Sequence, residues 1–191
     1  ASRRAKDLVT QILAFSSQQP LPRHTLALGP VIAEAVKLLR ATLPAGVELA
    51  TSLAGDAPEV LADPTQMHQV IVNLCTNAWQ AMQGKPGRID IRLEGMAWEA
   101  DTAGFNLQPG RYAHLSVHDN GQGMDAATQA RIFEPFFTSR SVGGGTGLGL
   151  SVVHSIVEGH QGAIRVESSL GRGNAAAASM CSTWTTRKHW C

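Results

Sequence analysis

RYAHLSVHDNGQGMDAATQARIF, residues 111–133, decides the fold. Its first part alternates. Ala113, Leu115 and Val117 fall on one face, and His114, Ser116 and His118 on the other. A period of two is the mark of a half-buried strand. The same alternation puts Asp119 on the apolar face, at the strand's end. An inward carboxylate must find a donor, because burying it unpaired is costly. Asp-Asn-Gly after a strand is a hairpin signal. A hairpin needs a second strand, yet residues 126–133 read as a helix. Gly121 and Gly123 would let a ligand lie close to the backbone of the intervening loop. Strand, glycine loop and helix around an inward carboxylate read as a ligand site.

The flanking segments agree with a sheet under helices. Residues 47–54, 88–96 and 163–169 alternate in the same way, and 59–63 is a short strand candidate. Residues 30–43 read as a helix, with Pro30 suited to its first turn. The clearest helix is PTQMHQVIVNLCTNAWQAMQ, residues 64–83. Met67, Val70, Ile71, Leu74, Cys75, Ala78 and Met82 form its apolar stripe. Gln66, Gln69, Asn73, Asn77 and Gln80 form a polar stripe beside it. Another helix is expected from about 148 to 160, and residues 97–110 read as a loop. One-faced strands interspersed with helices give an α/β two-layer arrangement, helices on one face and water on the other. The segment from Gly171 onward is hard to read. Its GRGNAAAASM is rich in alanine, a poor strand former.

Bulk properties bound the rest. With 43% apolar residues in 191, the chain can bury a core of one ordinary domain with a short appendage. A net charge of +1 favours neither nucleic acid nor a membrane surface. No apolar run is long enough to span a bilayer, and no signal peptide is expected. Cys75, Cys181 and Cys191 are odd in number and lack metal-like spacing, so a reducing cytoplasmic setting is expected. Residues 1–19 place Leu8, Ile12 and Phe15 on one helical face, and Pro20 and Pro22 stop that helix. Its stripe needs a partner elsewhere, such as another chain.

Two further features carry chemistry. Asn73 and Asn77 are spaced i, i+4 and share one edge of the 64–83 helix. Mid-helix asparagine is unfavourable by propensity, so either the face is solvated or the amides have work to do. An asparagine oxygen can coordinate Mg²⁺. The second feature is SVGGGTGLGL, residues 141–150. A glycine-rich loop entering a helix N-terminus suits an anion, because free N–H groups and the helix dipole face it. No Walker lysine follows, so it is not a P-loop, and no strand directly precedes it, which disfavours a dinucleotide fingerprint. FEPFFTSR upstream adds the apolar anchors Phe133, Phe136 and Phe137 and the cation Arg140. Anchors at one end and a helix at the other suit a lid better than a linker.

Taken in order, these motifs resemble the ATP-binding domain of sensor histidine kinases. NLCTNAWQAM resembles the family's N box, DNGQGM its G1 box, FEPFF its F box and GTGLGL its G2 box. The resemblance covers about residues 20–174. It implies the Bergerat fold shared with gyrase, Hsp90 and mismatch-repair ATPases, a mixed, mostly antiparallel sheet covered by helices on one face. It also implies ATP and Mg²⁺ as ligands. Asp119 would accept the adenine amino group. Asn77 would be the Mg²⁺ ligand, with Asn73 beside it. Gly121, Gly123 and Met124 belong to the adenine-side loop, and Phe136 and Arg140 to the lid. Gly145, Thr146, Gly147, Leu148 and Gly149 would meet the phosphates. A basic residue often stands three positions after the Mg²⁺ asparagine; here it is Gln80.

The resemblance also separates the relatives. Hydrolytic members carry a water-activating Glu four residues before the Mg²⁺ asparagine, where this chain has Asn73. That points to transfer of the γ-phosphate to a histidine. Only His118 precedes an acidic residue, and it sits on a strand facing outward, so no phosphoacceptor is expected within this chain. The expected organisation is 1–19 as the end of a dimerisation helix, 20–181 as the catalytic domain and 182–191 as an atypical tail. Expected partners are a phosphoacceptor dimerisation domain, a response-regulator receiver domain and a second copy of the full-length protein. A Bergerat ATPase and a non-catalytic nucleotide-binding module are the alternatives.

Overall fold

The computed structural model describes residues 23–99, 107–139, 146–171 and 173–181. The expected helix at 1–19, the lid residues Arg140 and Gly145, and the tail 182–191 lie outside these residues.

The principal sheet has five strands in the order β2-β4-β5-β7-β6. They are β2 (Val47–Leu53), β4 (Gly87–Trp98), β5 (Gly110–Asp119), β7 (Asn174–Cys181) and β6 (Ala163–Ser168). β2 and β4 run parallel, with Leu49 opposite Ile89. The other pairings are antiparallel, with Ile91 opposite Val117 and Val117 opposite Ala176. Two short strands, β1 (His24–Leu26) and β3 (Val60–Ala62), pair separately. The mixed, mostly antiparallel sheet matches the expected fold class.

Among the described residues three helices cover the inner face, and a fourth, short one buries nothing. Helix α1 (Leu28–Thr42) buries Leu28, Ile32, Ala35, Val36 and Leu39, the one-sided spacing of an amphipathic helix. Pro30 lies in its first turn, where a missing N–H costs no helical bond. Helix α2 (Pro64–Ala81) starts sharply. Asp63 caps it by accepting from the Thr65 N–H at 2.8 Å, and Pro64 opens its first turn. Met67, Val70, Ile71, Leu74, Cys75 and Ala78 then face the sheet. Helix α3 is the short Ala126–Gln129, capped by Asp125, and α4 is Gly149–Gly159. Ile89, Ile91, Leu93, Ala113, Leu115, Val117, Ala178 and Met180 meet these helices in one continuous core.

The structure departs from expectation in three places. The helix foreseen at 126–133 stops at Gln129. The chain then continues in turns closed by Arg131 N–H to Thr128 O and Glu134 N–H to Arg131 O. The alanine-rich 174–181 is a strand, and it sits inside the sheet between β5 and β6. Pairing on both edges supplies what alanine's own preference lacks. Finally, the outer face is only partly wet. Tyr112 is 1% exposed and Ser116 5%, and the Tyr112 hydroxyl donates to Gln108 O at 2.6 Å. No helix among the described residues is long and apolar enough to cross a membrane.

Candidate nucleotide site

A cleft opens between α2, the end of β5 and the start of α4. Val117, Val166 and Ala176 are apolar members of its lining, contributed by the sheet. Ile132 and Phe137 line it from the segment after α3, and Asn73, Asn77 and Gln80 from α2.

Asp119 is held as its alternation predicts. Its Oδ1 accepts from the Gly121 N–H at 2.8 Å. The Asn174 Nδ2 donates to Oδ1 at 3.1 Å and to Oδ2 at 3.0 Å. Burial pushes the Asp119 carboxyl above its ordinary value, and the Asn174 and Gly121 donors pull it back. The inward carboxylate has thus found its donors in a side-chain amide and a backbone N–H.

The glycines of this loop serve the chain itself. A Cβ on Gly121 would stand 2.8 Å from the Ala81 backbone, and the Gln122 N–H donates to Ala81 O at 3.0 Å. Gly121 does not line the cleft; it lets the loop dock on the end of α2. Gly123 has φ +70, and a Cβ there would collide with the Ser169 carbonyl. Gly123 and Met124 do line the cleft.

The opposite wall is the entry to α4. Its N-cap residue, Leu148, has no side-chain cap bond among the described residues, and its first turn holds no acidic residue. Its N-terminal partial positive charge therefore faces Thr146 and Gly147 at the cleft's edge. Gly147 has φ +68, and a Cβ there would meet the Phe136 carbonyl at 2.6 Å. Phe136 itself has φ 65 and is 68% exposed, so its backbone, not its ring, shapes this wall. Phe133 packs on His154 with ring centroids 4.7 Å apart, tying the turn segment to α4. Leu148 is 3% exposed and belongs to the core.

Asn77 lies between these walls. Its Nδ2 is buried and has no hydrogen-bond partner among the described residues. A Cβ on Gly149 would stand 3.3 Å from it, tighter than an ordinary contact, so a side chain there would press on the amide. The orphaned N–H calls for an acceptor, such as a phosphate oxygen, while the amide oxygen of the same half-buried side chain is of the type that a hard cation such as Mg²⁺ takes. No cluster of His, Cys, Asp or Glu among the described residues could hold a metal ion instead.

Of the residues expected at the site, Asn73, Asn77, Asp119, Gly123, Met124, Thr146, Gly147 and Gly149 come together in the cleft. Gly121, Phe136 and Leu148 support it from outside the lining. The sequence reading missed Thr128, Ile132 and Asn174. Asn174 had one signal, its place directly after GRG, but the alanines that follow hid the strand it begins.

Residues 62–180 match the family described as histidine kinase-, DNA gyrase B-, and HSP90-like ATPase. The sensor kinase CckA of Brucella abortus is 39% identical over 175 residues, 90% of this chain and 18% of that protein. The solved catalytic domain of histidine kinase ThkA is 27% identical, with a TM-score of 0.69 over 85% of this chain and 97% of that one. ThkA in complex with the response regulator protein TrrA is matched at 26% identity and a TM-score of 0.73, over 97% of this chain and 49% of that one. The chain spans less than half the length of the curated relatives it matches. It belongs to the family of histidine kinase-, DNA gyrase B- and HSP90-like ATPases.

Proposed function

We propose that this chain is the ATP-binding catalytic domain of a cytoplasmic histidine kinase segment in a two-component system. One observation carries the reading. A single cleft joins an acceptor carboxylate, Asp119, to an uncapped helix N-terminus with Asn77 beside it. The first suits an amino-bearing base and the second a phosphate chain.

The roles follow from chemistry. Asp119 accepts the adenine amino group, and Val117, Val166 and Ala176 offer the base an apolar bed. The N–H groups opening α4 receive the phosphates. Asn77 offers its amide oxygen to Mg²⁺, which when bound neutralises phosphate charge. Phosphoryl transfer rests on such positioning and neutralisation more than on covalent work by the enzyme.

Asn73 supports transfer over hydrolysis. It lines the cleft where a water-activating base would be needed, and an amide does not take up a proton at neutral pH. The acceptor we propose is a histidine on a dimerisation domain in a homodimer, and the final acceptor an aspartate of a receiver domain. The complex of ThkA with a response regulator supports that partner class.

The test supplies the chain with Mg²⁺ and γ-labelled ATP, alone and with a histidine-bearing dimerisation domain of a related kinase. Slow phosphate release alone, with acid-labile label appearing on the added domain, is expected. Rapid release that disappears in Asp119→Ala would overturn the kinase reading in favour of an ATPase.

A further inference from the structure

Asn174 stands in a chain of hydrogen bonds that the proposed roles leave unused. The Met124 N–H donates to the Ser168 Oγ at 2.7 Å. The Ser168 hydroxyl has its own proton to give, and Asn174 Oδ1 lies 2.6 Å away, with Gly173 O at 3.2 Å. Asn174 Nδ2 in turn reaches both oxygens of Asp119. The Gln129 amide braces the same corner, donating to Ser168 O at 2.8 Å and to Met124 O at 3.3 Å.

These partners fix which end of the Asn174 amide is which. An ionised carboxylate only accepts, so it must face the NH₂ group. The serine oxygen has accepted from Met124, so its proton is free for the amide oxygen. A flipped amide would set oxygen against carboxylate and lose both bonds.

A primary amide has two N–H bonds. Both Asp119 contacts run from one nitrogen to one carboxylate, at 3.1 and 3.0 Å, so one N–H directed between the two oxygens can serve both. The second N–H has no partner among the described residues, and Asn174 lines the cleft. The cleft therefore presents an acceptor, Asp119, beside a donor, Asn174.

We infer that Asn174 is a base-specificity residue, donating its second amide N–H to the ring nitrogen adjacent to the amino group of a 6-aminopurine. This rests on the reading of the cleft as an adenine-nucleotide site. The pair matches the edge of adenine, which offers an amino donor next to the N1 acceptor. A 6-oxopurine offers an acceptor next to an N–H, the reverse at both positions. Ser168 is a positioning residue, holding the amide so that neither end can swap.

The experiment is a two-by-two binding comparison by calorimetry. ATP and 1-deaza-ATP, which has CH in place of N1, are titrated into the chain and into Asn174→Ala. The unaltered chain is expected to bind the deaza analogue about tenfold more weakly, as one hydrogen bond warrants. In Asn174→Ala that gap is expected to shrink to about twofold or less. Each protein is its own reference, so a general loss of affinity does not mimic the result. Ser168→Ala serves if Asn174→Ala does not fold, and its gap is expected to narrow as the amide turns. An undiminished gap in the variants, or none in the unaltered chain, would overturn the inference while leaving the ATP site intact. Failure of the unaltered chain to bind ATP would overturn the nucleotide reading itself, and the inference with it.

Discussion

Asn77 and Gly149 meet across the cleft, with 3.3 Å between the Asn77 Nδ2 and the place a Cβ on Gly149 would occupy. The helix that offers its N-terminus and the helix that offers the amide are thus in contact at the one point where both are needed. Gly149→Ala separates stability from function. Alanine at a helical glycine stabilises by about 0.4–1 kcal/mol through the unfolded chain. The same methyl group presses on the Asn77 amide. The thermal midpoint is expected to stay level or rise slightly. Mg²⁺-dependent ATP affinity is expected to fall about tenfold, the effect of about 1.4 kcal/mol. Calorimetric melting and titrations with and without Mg²⁺ read the two effects, and equal losses in both would deny the division.

Asp119→Asn keeps the shape and removes a charge that burial disfavours. Its stability is expected to change by less than about 1 kcal/mol, since one cost and several hydrogen bonds disappear together. ATP affinity is expected to fall about 10- to 100-fold, because a hydrogen bond to a charged acceptor becomes at best a neutral one. The pH dependence has a definite sign. The folded carboxyl titrates above the ordinary 3.8, so the folded state holds the proton over a window where the unfolded state has lost it. Across that window stability falls as pH rises, then levels off. ATP binding moves oppositely, weakening as pH drops and the carboxylate becomes protonated. Both slopes should vanish in Asp119→Asn.

His160 gives the fold an acid sensitivity at the other end of α4. It is 7% exposed. Its Nε2 accepts from the Asp63 N–H at 3.3 Å, so the ring proton lies on Nδ1, 2.8 Å from Ile156 O. Burial lowers its pKa below 6.5, and Arg23 adds to the lowering while Ile156 and Asp63 oppose it. The neutral form therefore stabilises the fold fully above pH 6.5, and that contribution is lost as pH falls through the lowered value. His114 is lowered by burial as well and adds a slope of the same sign. Urea midpoints measured from pH 7 down to 5 should fall, and less steeply in His160→Gln. An unchanged slope in the variant would assign the sensitivity to other groups.

The legible parts of this chain are those where one face is wet. β2, β4, β5 and β6 announce themselves because polar and apolar residues alternate, and α2 because Asp63-Pro64 starts it and its stripe is clean. Asp119 was legible because alternation forced a carboxylate inward. β7 was not, because a strand inside the sheet takes its stability from neighbours on both edges and can be made of alanine. With β7 went Asn174, whose significance depends on Asp119 lying directly opposite in the register. Gly121 shows a related limit: sequence shows that a backbone must come close to something, not to what, and among the described residues its neighbour is the Ala81 backbone.

Gly123 and Gly171 make that last distinction measurable. Both have positive φ, +70 and +75. A side chain in this region costs about 1–2 kcal/mol by itself. At Gly171 a Cβ would meet nothing within 4 Å, so Gly171→Ala should cost about that and leave ATP binding unchanged. At Gly123 the Cβ would run into the Ser169 carbonyl, and Gly173 O stands 3.2 Å away. The chain there must move, and Met124 and Ser168 move with it. Gly123→Ala is therefore expected to cost about 3 kcal/mol or more. It should also weaken ATP binding, because the Met124 to Ser168 bond that steadies Asn174 is pulled apart. Urea unfolding and ATP titration of both variants check this. Equal costs in the two would mean that backbone conformation, and not the approach to Ser169, is what glycine serves at 123.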